Sequence, residues 1–172
     1  MKFSLALILT AVASLSLISS KSQAQEKAQL QEIAKPDQVI NAGKALIDRL
    51  IPDYAHQIDV GYISKENIDK GKQQNKFELQ TIDNRLLIRG SSAQAIAGAL
   101  NYYLRHVAYG QLSWGGDQLT FGEKLPKVNQ KITKVSPHAV VYNFNYTAFG
   151  YTSPYWQWPR WQREIDFMAA QG

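Results

Sequence analysis

The stretch FELQTIDNRLLI, at residues 77–88, decides the fold of the first domain. Two segments rich in apolar residues, 77–82 and 85–88, flank the pair Asp83-Asn84. Aspartate and asparagine tolerate the left-handed backbone that a tight hairpin turn requires. The stretch therefore predicts a β-hairpin, and it is the clearest hairpin signal in the chain.

A helix and a strand are predicted before this hairpin. Apolar residues recur at helical spacing over residues 39–50, with Asp37 placed to cap the free N–H groups at the start of the helix and Pro52 placed to end it. Alternating apolar residues then predict a strand at residues 58–62. Residues 64–76 are rich in Lys, Asn, Gln and Gly, so we expect an exposed and mobile loop there.

After the hairpin, an apolar stripe over residues 93–107 predicts a second helix that packs on the sheet. A small second hairpin is expected over residues 111–121, turning at the Gly-Gly-Asp sequence. Residues 37–126 therefore form an α+β domain, with helices on a mainly antiparallel sheet. Residues 127–139 are polar and are expected to act as a linker.

The composition changes at Val140. Residues 140–161 contain four Tyr, three Trp and two Phe, with only Arg160 charged, and residues 164–172 follow with a helical pattern. A strand, an aromatic loop and a helix are the first β/α unit of a (β/α)8 barrel, in which ligand contacts come from the loops that follow the strands. One such unit cannot close a barrel, so we expect residues 140–172 to begin a truncated catalytic TIM barrel and the chain to be a fragment.

The amino terminus has the layout of a secretory signal. Residues 1–24 contain a basic start at Lys2, an apolar segment over residues 5–18 and a small-x-small cleavage sequence ending at Ala24. The apolar segment is shorter than the roughly 20 residues of a membrane-spanning helix, so a permanent anchor is the weaker interpretation. We therefore expect export to the periplasm or the medium, with residues 25–36 as a flexible lead into the first domain.

Charge and composition exclude several other classes of function. The net charge of +5 becomes +3 when a cleaved leader takes away Lys2 and Lys21, because that segment contains no acidic residue. The remaining basic residues are spread along the chain, whereas a nucleic-acid-binding protein groups them on one face. The chain has no cysteine and only three scattered histidines, so neither a disulfide framework nor a metal site is indicated. We expect no cofactor.

A longer motif carries a resemblance to a known family. The sequence Trp156-Gln157-Trp158-Pro159-Arg160-Trp161-Gln162-Arg163-Glu164-Ile165-Asp166-Phe167-Met168-Ala169, with YNFNYT at residues 142–147, resembles the alpha-N-acetylglucosaminidases of glycoside hydrolase family 89. The segments AGALNYYLR at 97–105, Ser113-Trp114 and Leu125-Pro126 also fit the amino-terminal domain of that family. The resemblance covers residues 36–172.

The resemblance implies a retaining, exo-acting hydrolase without a metal that releases terminal alpha-linked N-acetylglucosamine from glycans. In this family two glutamates, about 5 Å apart, do the chemistry on later barrel strands, and no position of this chain matches either one. The nearest acids, Glu164 and Asp166, point about 200° apart on a helix and cannot form a facing pair. Ion pairs with Arg160 or Arg163 are their expected role.

Three positions match the wall of the family's sugar pocket: Asn145, Thr147 and Tyr151. An amide and a phenol can bond hydroxyl and acetamido groups while remaining neutral, and the phenol ring offers a face to the sugar. At the position of Thr147 other family members carry a different small residue. The alternative is that these residues fill the top of the barrel. For Trp156, Trp158 and Trp161 packing is favoured, and Trp114 is expected in the core or at a domain interface.

Three functions remain open at this point. The first hypothesis, which follows from the resemblance, is that the chain is the leading part of an alpha-N-acetylglucosaminidase that acts on a glycan with terminal alpha-N-acetylglucosamine, and that it is inactive alone. The alternative is a non-catalytic carbohydrate-binding module with an aromatic platform. A structural domain without a ligand would instead bury the aromatic loop.

Overall fold

The computed structural model describes residues 35–68, 72–138, 140–142, 150–151 and 153–172. Residues Lys35–Gly172 form one compact unit. Within the described residues the helices are α1 (Pro36–Leu50), α2 (Ala93–His106) and α3 (Trp158–Gln171), with a short 3-10 turn at Ala55–Gln57. The strands are β1 (Ile58–Tyr62), β2 (Glu66–Asn67), β3 (Gln73–Gln74), β4 (Lys76–Ile82), β5 (Arg85–Gly90) and β6 (Ile132–Val135).

The predicted hairpin is confirmed. Strands β4 and β5 pair antiparallel with Leu79 opposite Ile88, and the turn residues Asp83 and Asn84 have φ values of 47° and 64°. Two consecutive residues with positive φ match the twist of a two-residue hairpin turn. These two positions therefore fix the register of the central strands.

The main sheet has the order β1-β5-β4-β6 and is mixed, with two antiparallel pairings and one parallel pairing, which agrees with the predicted mainly antiparallel sheet. Strand β1 pairs parallel with β5, with Ile58 opposite Leu86, while the pairings of β4 with β5 and with β6 are antiparallel. The alternating pattern of β1 predicts a strand, but it does not indicate which strand β1 pairs with, or whether the pairing is parallel or antiparallel.

Residues 127–139 do more than link two domains. Their residues 132–135 form β6, which covers the free edge of β4 and places Ile132 opposite Leu79. The backbone N–H of Val128 donates to the hydroxyl of Thr81 at 2.8 Å, and Val128 itself is buried. An uncovered edge strand leaves N–H and C=O groups without partners, which explains why this polar segment joins the sheet.

Two loops differ from the prediction. The segment expected to be a mobile loop at residues 64–76 contains the antiparallel pair β2 and β3, supported by an ion pair between Lys76 and Glu66 at 2.8 Å. The hairpin expected at residues 111–121 forms only one isolated bridge, between Gln111 and Gln118. Local hydrogen bonds determine whether each of these two segments forms a paired structure, and the amino-acid composition does not predict those bonds.

The two helix starts also differ in how they are capped. At α2 the Ser92 hydroxyl accepts from the N–H of Ala95 at 3.0 Å. At α1 the cap position is Lys35 rather than Asp37, and the Gln38 side chain accepts from the Lys35 N–H at 2.9 Å. Asp37 instead lies in the first turn, where its charge suits the positive end of the helix dipole.

The core lies between the helices and the main sheet. Helix α2 is its centre, because it packs against α1, α3, β4 and β5. The largest fully buried side chains are Tyr103, Ile47, Ile51, Leu79, Ile88, Ile96, Leu100 and Leu104. Gly43 permits the close approach of α1 to α2, since a Cβ there would lie 2.7 Å from Cδ1 of Ile96.

Glu78 is a buried acid of the sheet, held between two cations. Arg89 on β5 lies 2.7 Å from its carboxylate, and Lys131 lies 2.8 Å from it. Burial is the largest single influence and pushes the pKa of Glu78 upward, but the hydrogen bond from Lys131 and the charges around it outweigh burial. The pKa of Glu78 therefore lies below its ordinary value, and the group is ionised at neutral pH.

The predicted last helix is confirmed, although it starts earlier than expected. Helix α3 begins at Trp158 rather than near Glu164, with Pro159 in its first turn, where the missing N–H of proline costs nothing. The strand expected before it falls mostly on residues 143–149, which lie outside the described residues. The β/α barrel unit therefore stays a prediction.

Candidate functional site

Helix α3 is attached to the rest of the unit by an ion pair with α1. Arg49 donates from Nε and Nη2 to the two carboxylate oxygens of Asp166, at 2.6 and 2.7 Å. Asp166 is 4% exposed. The hydrogen bond to Asp166 raises the pKa of Arg49 and outweighs the effect of burial. A paired geometry of this kind fixes orientation as well as distance.

A second ion pair connects α3 to the loop that follows α2. Arg163 donates from Nη2 to Asp117 at 2.6 Å, and the same carboxylate accepts from the backbone N–H of Ser113 at 3.0 Å. Asp117 therefore holds the loop in shape while it binds the helix.

The third connection is an aromatic–arginine cluster, formed by Trp114, Trp156, Arg160, Trp161 and Glu164. The indole N–H of Trp114 donates to Glu164 at 2.9 Å, and Arg160 lies 3.2 Å from the same carboxylate. The Arg160 guanidinium carbon lies 4.1 Å from the Trp156 ring centroid and 5.2 Å from that of Trp114. A cation close to two indole faces is attracted by both rings.

A polar cavity of about 300 Å³ lies beside this cluster, lined by Ser113, Trp114, Gly116, Asp117, Arg160, Arg163, Glu164 and Phe167. Its two acids, Asp117 and Glu164, are each bonded to an arginine of α3. Hydrolysis by a pair of carboxyl groups needs one proton donor and one base or nucleophile facing the substrate. Among the residues described around the cavity, the acids instead serve as partners for cations.

Comparisons with known proteins match two successive parts of the chain. Residues 41–127 match the alpha-N-acetylglucosaminidase (NAGLU) N-terminal domain, and residues 141–172 match the tim-barrel domain of the same enzyme group. The first match alone spans half of the chain. The chain belongs to the alpha-N-acetylglucosaminidase family. The human alpha-N-acetylglucosaminidase is 38% identical over 88 residues, which are 51% of this chain and 12% of the human protein.

Solved structures of a family 89 glycoside hydrolase from Clostridium perfringens share the fold. The complex with 2-acetamido-1,2-dideoxynojirimycin has a TM-score of 0.70 and 21% identity, covering 87% of this chain and 17% of the clostridial chain. The complex with GlcNAc-alpha-1,4-galactose, its substrate, has a TM-score of 0.68 and 22% identity, covering 93% and 17%. The chain thus spans less than a fifth of the length of these relatives.

The sugar-wall residues expected for an alpha-N-acetylglucosaminidase are only partly described. Asn145 and Thr147 lie outside the described residues. Tyr151 is 86% exposed, and its neighbours Tyr155 and Trp158 are 93% and 65% exposed. Among the described residues, the structure therefore presents exposed aromatic rings immediately before α3 and at its first residue. The grouping of Asn145, Thr147 and Tyr151 in one pocket wall stays a prediction.

The acids and tryptophans of this alpha-N-acetylglucosaminidase segment have the following partners. Glu164 pairs with Arg160, as expected, whereas Asp166 pairs with Arg49 of α1 and not with a neighbour on its own helix. Trp156 packs edge-on against Trp161 with ring centroids 5.1 Å apart, while Trp158 points mainly into solvent.

Sequence reasoning missed Arg49, Asp117 and Arg160 as partners that join the two family domains. The first two are ordinary charged residues, 117 and 46 positions away from their partners, and nothing in the sequence marks them. Trp114 was assigned to the core or to an interface, and the interface assignment is correct. Within the described residues, no helix is long and apolar enough to cross a membrane, and no group of three or more potential ligands could hold a metal ion.

Proposed function

We propose that the whole protein is an exported, exo-acting, retaining glycosidase that releases terminal alpha-linked N-acetylglucosamine from a glycan. The observation that carries the proposal is the consecutive match of residues 41–127 and 141–172 to the two domains of one enzyme family. The clostridial relative, whose complex contains GlcNAc-alpha-1,4-galactose as substrate, supports this substrate class.

This chain contributes the leading domain and one side of the sugar pocket, and it is inactive by itself. The pairing of Glu164 and Asp166 with arginines supports the inactivity, because neither acid is available as a proton donor facing a substrate. The proposed division is a leader at 1–24, a flexible lead at 25–36, the first domain at 37–126, a connection at 127–139 and the start of the barrel at 140–172.

Asn145, Thr147 and Tyr151 are proposed to contact the terminal sugar. The exposure of Tyr151 supports its part in this role, because a ring that packs against a sugar face must be free of protein contacts on that side. Neutral hydrogen-bonding groups suit an uncharged acetamido sugar.

The test is an activity assay on two proteins, the product of the complete reading frame and a chain of residues 25–172. We expect the first to release N-acetylglucosamine from a chromogenic alpha-N-acetylglucosaminide and to leave the beta-anomer intact. The second should show no release. An NMR spectrum of the first-formed sugar reports retention, and amino-terminal sequencing of the exported protein should begin at Gln25. Absence of activity in the complete protein would refute the proposal.

A second candidate is a glycan-binding surface without hydrolysis, favoured by the exposed rings of Tyr151, Tyr155 and Trp158. Isothermal titration of the inactive 25–172 chain with an alpha-N-acetylglucosaminide separates the two. The binding function would be established if the complete protein has no hydrolytic activity, if the chain binds the glycoside, and if the Tyr155→Ala variant does not bind it.

A further inference from the structure

The segment that carries Tyr151 contains two strongly exposed rings among its described residues. Tyr151 and Tyr155 are 86% and 93% exposed, so their side chains contribute little to holding the backbone between them. The segment is fixed at its end, where Ser153 is buried and its carbonyl accepts from the N–H of Trp156 at 3.2 Å. Trp156 is therefore one residue, beside the buried Ser153, through which the rest of the protein can set the position of this segment.

Trp156 is held by the first domain through a cation. Arg160 contacts its ring at 4.1 Å and the Trp114 ring at 5.2 Å, while the two ring centroids are 6.1 Å apart. These distances describe a triangle and not a stacked sandwich. Each of the three groups therefore contacts both of the others, and removal of one affects two contacts.

Glu164 contacts two members of the cluster, Trp114 and Arg160. Its carboxylate accepts from the Trp114 indole N–H at 2.9 Å and lies 3.2 Å from Arg160. The charge of Arg160 is thereby balanced, and the plane of the Trp114 ring is fixed by a directional hydrogen bond. Charge-assisted bonds of this kind give geometric specificity in addition to energy.

The exposure of Trp114 argues against a purely packing role. This ring is 58% exposed, whereas the tightly packed core beneath it contains side chains with almost no exposure. A tryptophan whose main task is apolar burial would leave less of its surface in water. Its contacts go to the aromatic segment and to α3, and they set an orientation.

We infer that Trp114 is a positioning residue of the sugar pocket: through Arg160 and Trp156 it fixes the segment that presents Tyr151. The inference rests on the proposed function for its consequence on catalysis. Its structural part, the fixing of residues 153–157 by the first domain, can be measured without any activity.

The experiment compares three variants of the complete protein with the wild type. Trp114→Ala removes the ring and the donor, and Trp114→Phe keeps a ring but loses the indole N–H. Tyr109→Ala is the control, because Tyr109 is an exposed aromatic ring of the same domain, at 84% against 58% for Trp114, and lies outside the cluster. Native protein is treated briefly with chymotrypsin, and peptides ending at Tyr151 and Tyr155 are quantified by mass spectrometry.

We expect Trp114→Ala to raise the initial rate of cleavage at these tyrosines roughly tenfold, since proteolysis follows the population of the open segment. Trp114→Phe should give a smaller increase, and Tyr109→Ala should give none. With an alpha-N-acetylglucosaminide, Trp114→Ala should raise KM by a similar factor and change kcat less. A residue that only supports folding would instead lower apparent kcat and leave KM unchanged.

The outcomes separate this inference from the proposed function. An inactive wild type refutes the proposed function, and the cleavage rates still decide whether Trp114 fixes the segment. Equal cleavage in Trp114→Ala and wild type overturns the inference whatever the activity. Faster cleavage with an unchanged KM overturns it as well, because the segment would then not form part of the sugar pocket.

Discussion

Removal of Arg49 should cost more stability than removal of its partner Asp166. The Asp166 side chain is 5% exposed to solvent, whereas the Arg49 side chain is 37% exposed. Without Arg49, the carboxylate stays buried and uncompensated; without Asp166, the guanidinium can turn toward water. Breaking a fully buried pair costs about 3–5 kcal/mol, and the partial exposure of Arg49 reduces this to about 2–3 kcal/mol for Arg49→Ala. For Asp166→Ala we expect about 1 kcal/mol.

The assay is urea unfolding of the 25–172 chain at neutral pH, followed by tryptophan fluorescence. Arg49→Ala should lower the free energy of unfolding by the larger amount and the melting temperature by roughly 10 °C. Lys44→Ala is the control on the same helix, because the Lys44–Asp48 pair is exposed at 59% and 47% and should contribute less than about 0.5 kcal/mol. Equal losses for Arg49→Ala and Asp166→Ala, or a loss for Arg49→Ala no larger than for Lys44→Ala, would refute the reasoning from burial.

Three further predictions concern the first domain and use the same unfolding assay. The pKa of Glu78 is lower in the folded state than its ordinary 4.5, so its ionised form stabilises the fold above that pH, and this stability is lost as the pH falls through the folded pKa. Glu78→Gln should therefore be less stable than wild type at pH 7, by about 1–2 kcal/mol, and the difference should shrink by pH 3; a constant difference would contradict this. Tyr103→Phe removes a phenol hydrogen bond of 2.7 Å to a backbone carbonyl and should cost about 1–2 kcal/mol without changing the urea dependence. Gly43→Ala should destabilise the protein by about 1–3 kcal/mol, because the added Cβ would clash with Ile96. Gly98→Ala should stabilise it by up to about 1 kcal/mol, because nothing lies within 4 Å of the added Cβ and alanine favours a helix. A gain in stability at both positions would show that the helices separate easily.

Local sequence signals predicted the hairpin, all three helices and the first strand, because each depends on spacing and turn chemistry within a short window. The Asp83-Asn84 turn has the positive φ values that its residue types allow. Helix α2 has its apolar stripe where the sequence places it. Such elements are determined by neighbours along the chain.

The missed features depend on residues far apart in sequence. Strand β6 is only four residues long, with apolar Ile132 and Val135 at its ends, and it becomes a strand because the edge of β4 needs hydrogen-bond partners. The parallel pairing of β1 and the attachment of Asp166 to Arg49 likewise follow from three-dimensional packing. For the sugar wall, Tyr151 is exposed, while Asn145 and Thr147 lie outside the described residues. The contact of Tyr151 with a sugar stays a prediction.

The border between the two family domains runs through the interior of one compact unit, and this changes how the protein can be cut and recombined. The first family match ends at residue 127 and the second begins at 141, yet side chains of the described residues form hydrogen bonds across that border. Examples are Arg49 with Asp166, Trp114 with Glu164, and Asp117 with Arg163. A chimera joined at residue 139 would combine the halves of these pairs from two different parents. The exchangeable piece therefore extends through α3, and a library of domain exchanges in this family should place its junctions after that helix.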